Sequence, residues 1–175
     1  GVYITFRVLD IADLTVDGTL CTGGAVCIMM MLSGQNVWVS MLAATGAGML
    51  AGLATGIFHT FMGIPAILSG ILTQLSLYSI NMKIMGKANQ AISVDRYDLL
   101  VSLRNVKDVP FYENTLLIVA ILIVLLIAVL YWFFGTELGS SLRATGCNAN
   151  MSRAPGINTN LSKVLGLMLS NGLVG

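Results

Sequence analysis

From Gly18 through Met82 the chain carries no Asp, Glu, Lys or Arg, and His59 is the only basic side chain in that stretch. A helix that crosses a bilayer needs about 20 apolar residues to span about 30 Å of hydrocarbon. The stretch is therefore long enough for more than one crossing. A second charge-free stretch, Asn114 to Thr136, holds the run LLIVAILIVLLIAVLYWFF and is the least ambiguous spanning helix. Charged residues make up only 10% of the 175 and apolar ones 56%, whereas an ordinary soluble domain has about 25% and about 45–50%. That shortage of charge argues against a water-soluble globule. A net charge of +1 supplies no basic field for nucleic acid. In lipid every backbone N–H and C=O must be satisfied within the structure. The expected fold class is all-α, a polytopic transmembrane helical bundle.

The apolar stretches are not cleavable leaders, because several lie deep in the chain. Residues 164–175 read VLGLMLSNGLVG and stop before they could cross a bilayer, and the opening GVYITFRVLD looks like the tail of a preceding helix. The expectation is a single transmembrane domain over 1–175 that is part of a longer membrane protein. Cys21, Cys27 and Cys147 have no CxxC spacing, so free thiols are expected, with neither a metal site nor a cofactor.

Five spans are expected. The first, about 18–33, is short, since Gly18 to Leu32 reaches only about 22 Å at 1.5 Å per residue. Either it continues back through DIADLTVDG, with Asp10, Asp13 and Asp17, or it is a discontinuous helix. Carboxylates at membrane depth are tolerated where they face protein or a water-filled path, and non-helical backbone only under the same condition. A break from Asp10 to Gly18 is the reading adopted. The second span, 37–62, begins at an interfacial Trp38 and carries Ala44, Gly48, Gly52 and Gly56 at four-residue intervals. Such a ridge of small residues lets a neighbouring helix approach closely.

The third span, 65–82, opens at Pro65, whose missing N–H costs nothing in a first turn. At 100° per residue Ser69, Thr73, Ser76 and Gln74 share one side, suited to interhelical hydrogen bonds or to a polar path. Residues 83–114 form a polar loop in which VDRYDLLVSLRNV has the pattern of an amphipathic surface helix. The fourth span, 115–134, ends in the aromatic belt YWFF. A second loop, 135–158, precedes a fifth span at 159–175. Counting Lys and Arg alone would put the first loop in the cytoplasm, but the acids near them weaken that count.

The second loop decides the orientation by a different route. GTELGSSLRATGCNANMSRAPGINTNLSKVLGLMLSNGLVG resembles the cytoplasmic loop and following helix of bacterial ABC importer permeases of the branched-chain amino acid and ribose type. Thr136, Gly139, Arg143, Ala144, Gly146, Asn148, Gly156, Ile157 and Asn158 match that pattern in order and spacing. ADLTVDGTLCTGGAV is similar to the family's I-D-L-S-V-G-S segment, which is carried on a broken helix facing the transport path. The chain departs from it by one inserted residue, Asp17, before Gly18. ILTQLSLYSI looks like the family's fourth span, without the Arg often found near Ser79 or Ile80.

The resemblance implies a permease subunit that pairs with a second permease subunit, sits on cytoplasmic ATPase subunits and receives solute from an external binding protein. It places 135–158 in the cytoplasm and 83–114 outside a bacterial inner membrane. It implies ATPase coupling through a loop helix at Gly139, Leu142, Arg143, Ala144, Gly146, Asn148, Gly156, Ile157 and Asn158. Asp13, Thr15, Asp17, Gly18, Thr73 and Gln74 are the expected translocation-path residues. The cargo class is an amino acid or similar small metabolite, with a ribose-type sugar as the alternative. The chain has no GxxxxGK[ST] loop, so nucleotide must be bound by a partner. No Ser/His/Asp, HExxH or paired-carboxylate constellation is present, so a transport subunit rather than an enzyme is expected. A channel would need a filter sequence that is not found, and a purely structural membrane protein would leave DIADLTVDG unexplained.

Overall fold

The computed structural model describes residues 1–86, 115–154, 156 and 158–175. Among them all regular structure is helical. A short π-helical turn, Ile4–Val8, comes first, followed by α1 (Val16–Leu32), α2 (Val37–Thr60) and α3 (Ala66–Met85). The second half holds α4 (Thr115–Gly135), α5 (Glu137–Cys147), α6 (Ala149–Arg153) and α7 (Thr159–Gly172). The amphipathic segment expected near 94–106, most of the 83–114 loop, and Ile157 lie outside the described residues.

Local chemistry accounts for the helix ends. Pro65 sits at the N-cap of α3 with φ −51°, one residue before the first turn. Gly86 stops the same helix in the left-handed region at φ 64°, where a residue without Cβ meets no steric penalty. Thr136, Asn148 and Asn158 cap α5, α6 and α7, each accepting from a backbone N–H of the first turn. Before α1 the backbone is not helical from Asp10 to Thr15. Helix α1 therefore starts two residues ahead of Gly18, and Asp17 falls in its first turn, where a carboxylate interacts favourably with the helix dipole.

Among the described residues two helices, α2 and the part of α4 from Leu117 to Gly135, are long and apolar enough to cross a membrane. With 17 residues α1 reaches about 26 Å, short of about 30 Å of hydrocarbon. Helix α2 is the hub, packing on α1, α3 and α7. Its small-residue ridge is the surface that α7 covers. A Cβ on Gly48 would lie 2.5 Å from the Asn171 carbonyl oxygen, one on Gly52 2.9 Å from Met168 Cα, and one on Gly56 3.1 Å from Val164 Cα. The two backbones thus approach to a distance that only glycine permits.

The apolar core lies at the loop end of this bundle. Ile4, Leu9 and Ile11 from the start of the chain bury against Leu142 of α5 and Leu167 of α7, with Phe133 and Phe134 around them. Helix α4 stands outside, its spanning window unburied and Val124, Tyr131 and Trp132 exposed. Outward apolar side chains of this kind match a hydrocarbon surround.

Candidate functional site

The segment between the π-helical turn and α1 is held by side chains from three helices. Asp13 Oδ1 accepts from the Thr15 backbone N–H at 2.9 Å, the local turn that Asp readily makes, while Asp13 Oδ2 accepts from Asn171 Nδ2 at 2.7 Å. The same Asn171 amide group donates to the Leu167 carbonyl at 3.1 Å, and its Oδ1 accepts from Thr19 Oγ1 at 3.0 Å. Asn171 is fully buried and uses both ends of its amide. Thr15, also fully buried, shares a 2.8 Å hydroxyl pair with Thr55 of α2. Asp13, Asn171, Thr19, Thr15 and Thr55 therefore tie the break to α1, α2 and α7 through polar contacts that are buried at every residue but the half-buried Asp13. A charged acceptor makes the Asp13 bond stronger than a neutral pair, and the buried donors would be costly to leave unpaired.

The other path residues fall differently. Gly18 faces α3, where a Cβ would meet Gln74 Cα and the Leu77 side chain at 3.2 Å. Thr73 is buried but donates to Ser69 O within its own helix, and Gln74 is half-buried. Asp17 is exposed and joins none of these contacts. Ser76, on the side shared with Ser69 and Thr73 by helical angle, is exposed and bonds back to Leu72 O. Asn171, Thr19 and Thr55 were absent from the expected set. A signal for Asn171 was present, since an amide in the apolar run LMLSNGLVG needs a partner when it is removed from water.

The loop helix α5 is anchored rather than free. Thr136 Oγ1 accepts from Gly139 N–H at 3.5 Å and donates to Phe133 O at 2.6 Å, which folds the chain back at the end of α4. A Cβ on Gly139 would lie 2.5 Å from Phe133 O. Arg143 is exposed, yet its guanidinium donates to Phe134 O and stands 5.6 Å from the Phe134 ring centroid, a cation–π arrangement. Its chain neighbour Leu142 is 1% exposed in the core. A Cβ on Gly146 would overlap the Val8 carbonyl, so α5 lies directly on the backbone that leads into the break. Ala144 is half-buried. Asn148 Oδ1 accepts from Asn150 and Met151 N–H at 3.1 Å each, Gly156 turns the chain at φ 88°, and Asn158 Oδ1 accepts from Leu161 N–H at 3.3 Å.

A helical bundle with lipid-suited outer faces, glycine-lined helix contacts and a polar network at a backbone break defines a membrane-embedded helical protein. A family model described as branched-chain amino acid transport system / permease component matches residues 1–175, and the chain belongs to that family. It is 37% identical over 175 residues to a tyrosine transport system permease protein of Clostridioides difficile, a match covering 99% of this chain and 56% of the relative. An uncharacterized protein of Rickettsia prowazekii is 34% identical over 99% of the chain and 58% of its own length. The fructose import permease protein of Bifidobacterium longum is 27% identical over 81% of the chain and 39% of its own length. The chain thus spans little more than half the length of the first two relatives. No solved structure matches it.

Proposed function

We propose that this chain is part of the permease subunit of an ATP-binding cassette importer in a bacterial inner membrane. Its cargo class is an amino acid or similar small solute. The family match over the whole chain supports the permease reading, and the 37% relative, whose name concerns tyrosine, supports the amino acid class over the sugar class. Sugar is the second reading, favoured by the more distant fructose permease relative. The subunit pairs with a second permease copy, takes solute from an external binding protein and rests on a cytoplasmic ATPase subunit, which hydrolyses the ATP. Residues 135–158 face the cytoplasm and 83–114 the outside.

One observation carries the mechanism: α5 is packed by Leu142 onto Leu167 of α7, and Asn171, one turn further along α7, holds Asp13 at the break. A push on α5 by an ATPase would move α7 as a rigid rod, since packed helices shift rather than deform. Asp13 and its hydrogen-bonded neighbours would then open or close a polar way between α1, α2 and α3. Thr15, Gly18, Thr73 and Gln74 belong to that way, with Asp17 at its edge. Gly139, Arg143, Ala144, Gly146, Asn148, Gly156, Ile157 and Asn158 shape and hold the loop that receives the push.

The test is reconstitution of the full-length permease in proteoliposomes with an ATPase subunit and a binding protein from the same cell. ATP-dependent uptake of labelled tyrosine or another amino acid is the expected outcome. Uptake of fructose or ribose in its place would select the sugar reading. Solute flux that needs no ATPase would overturn the importer reading.

A further inference from the structure

Where α5 meets α6, a cavity of about 550 Å³ opens between this loop, the break and the α2–α3 turn. Its volume is within the range of about 300–1,000 Å³ that small-molecule sites occupy. Among the described residues it is lined by Asp10, His59 and Lys163, with Leu9, Ile11 and Pro65 supplying apolar wall. Asp10 and Lys163 form no ion pair within 4.0 Å, although both face the same space. Lys163 is half-buried and Asp10 is exposed at the rim, so the cavity presents one charge of each sign that the fold does not pair.

The third group has a fixed role. His59 Nδ1 lies 2.9 Å from the Ile64 carbonyl, which only accepts, so Nδ1 carries the proton and Nε2 of the neutral ring is an acceptor. Asp10 is the only non-glycine described residue with positive φ, at 54°, a conformation that Asp tolerates better than most residues and that holds it at the edge of the cavity.

We propose that this cavity binds a zwitterion bearing an ammonium and an acid group. The ammonium is met by the Asp10 carboxylate and His59 Nε2, the acid group by Lys163 Nζ, and the remaining side chain by the apolar wall. A simple cation would be repelled by Lys163 and a simple anion by Asp10. Only a ligand with both charges satisfies both groups at once. A free α-amino acid and a phosphatidylethanolamine headgroup share this chemistry. The cavity wall comes from Leu9 to Ala12 on one side and Thr145 to Ala149 on the other. An occupant would therefore bridge the break and the loop.

Cys147 is exposed and lines the cavity, so it reports occupancy. The full-length permease, with Cys21→Ala and Cys27→Ala, is placed in nanodiscs of phosphatidylglycerol alone, and the alkylation rate of Cys147 by N-ethylmaleimide is followed by peptide mass. Added L-tyrosine or L-leucine should slow alkylation about tenfold at about ten times its dissociation constant, by mass action. Propionate and butylamine should not. Protection should be lost in Lys163→Gln and in Asp10→Asn, the latter keeping a residue that tolerates positive φ. If amino acids fail but nanodiscs containing phosphatidylethanolamine slow the reaction in a Lys163-dependent way, the zwitterion is a lipid headgroup. No protection by either source, or equal protection in both variants, overturns the site. The ligand class is shared with the transport reading, but the labelling needs neither ATPase nor binding protein, so the two can fail separately.

Discussion

Asn171 donates through Nδ2 to Asp13 Oδ2 at 2.7 Å, joining residues 158 positions apart in the chain. The bond spans the interface between α7 and the break before α1, and it is flanked by the Thr19–Asn171 and Thr15–Thr55 contacts. Replacing Asn171 with Leu keeps the branching at Cγ but removes the donor to Asp13 Oδ2 and the Oδ1 acceptor of Thr19, while Asp13 Oδ1 keeps the Thr15 N–H and the Thr19 hydroxyl keeps the Val16 carbonyl. The expected cost is about 1–3 kcal/mol, chiefly for the orphaned Asp13 Oδ2, read as a lowered midpoint of thermal unfolding in nanodiscs. Asp13→Asn combined with Asn171→Leu should cost less than the two changes summed, because both act on one contact. Additive effects would show that the two side chains do not communicate.

Glycine substitutions should divide by what faces them. A Cβ on Gly146 overlaps the Val8 carbonyl and one on Gly52 comes within 2.9 Å of Met168 Cα, so Gly146→Ala and Gly52→Ala should each destabilise by about 1–3 kcal/mol. Gly46 has no atom within 4 Å of such a Cβ. Gly46→Ala should be neutral or stabilise α2 by up to about 1 kcal/mol through helix propensity. Thermal unfolding of the three variants side by side is the check, and equal losses at all three positions would contradict the packing of α2 on α7 and of α5 on the break.

Proline within α5 separates coupling from passive connection. Ala144→Pro removes an interior N–H and sets the ring against the preceding turn, at about 3 kcal/mol. Binding of the external solute-binding protein should persist, while uptake, substrate-stimulated ATP hydrolysis and co-purification of the ATPase subunit should all fall. Retention of the ATPase with normal stimulated hydrolysis would make the loop a passive connector.

Cys147 is also a topology probe. In intact cells, with Cys21 and Cys27 replaced, a membrane-impermeant thiol reagent should leave Cys147 unmodified until the inner membrane is permeabilised. Labelling in intact cells would invert the proposed orientation and place 135–158 outside.

The sequence alone determined those features whose physics is local. A charge-free stretch from Gly18 to Met82 specifies helices in lipid because unpaired backbone is intolerable there. Gly48, Gly52 and Gly56 read as a contact ridge because helical spacing stacks them on one side of α2. Only the tertiary structure decided what lies across each face: α7 against the glycine ridge, Val8 against Gly146, Asn171 beside Asp13, and Asp17 apart from the network in an exposed first turn. The reason is that hydropathy and helical spacing act between near neighbours in the chain, whereas the partner of a buried amide or of a bare glycine is set by how separate helices dock. Asn171 could be seen to need a hydrogen bond, but the chain order contains nothing that says the carboxylate it finds is the one at position 13.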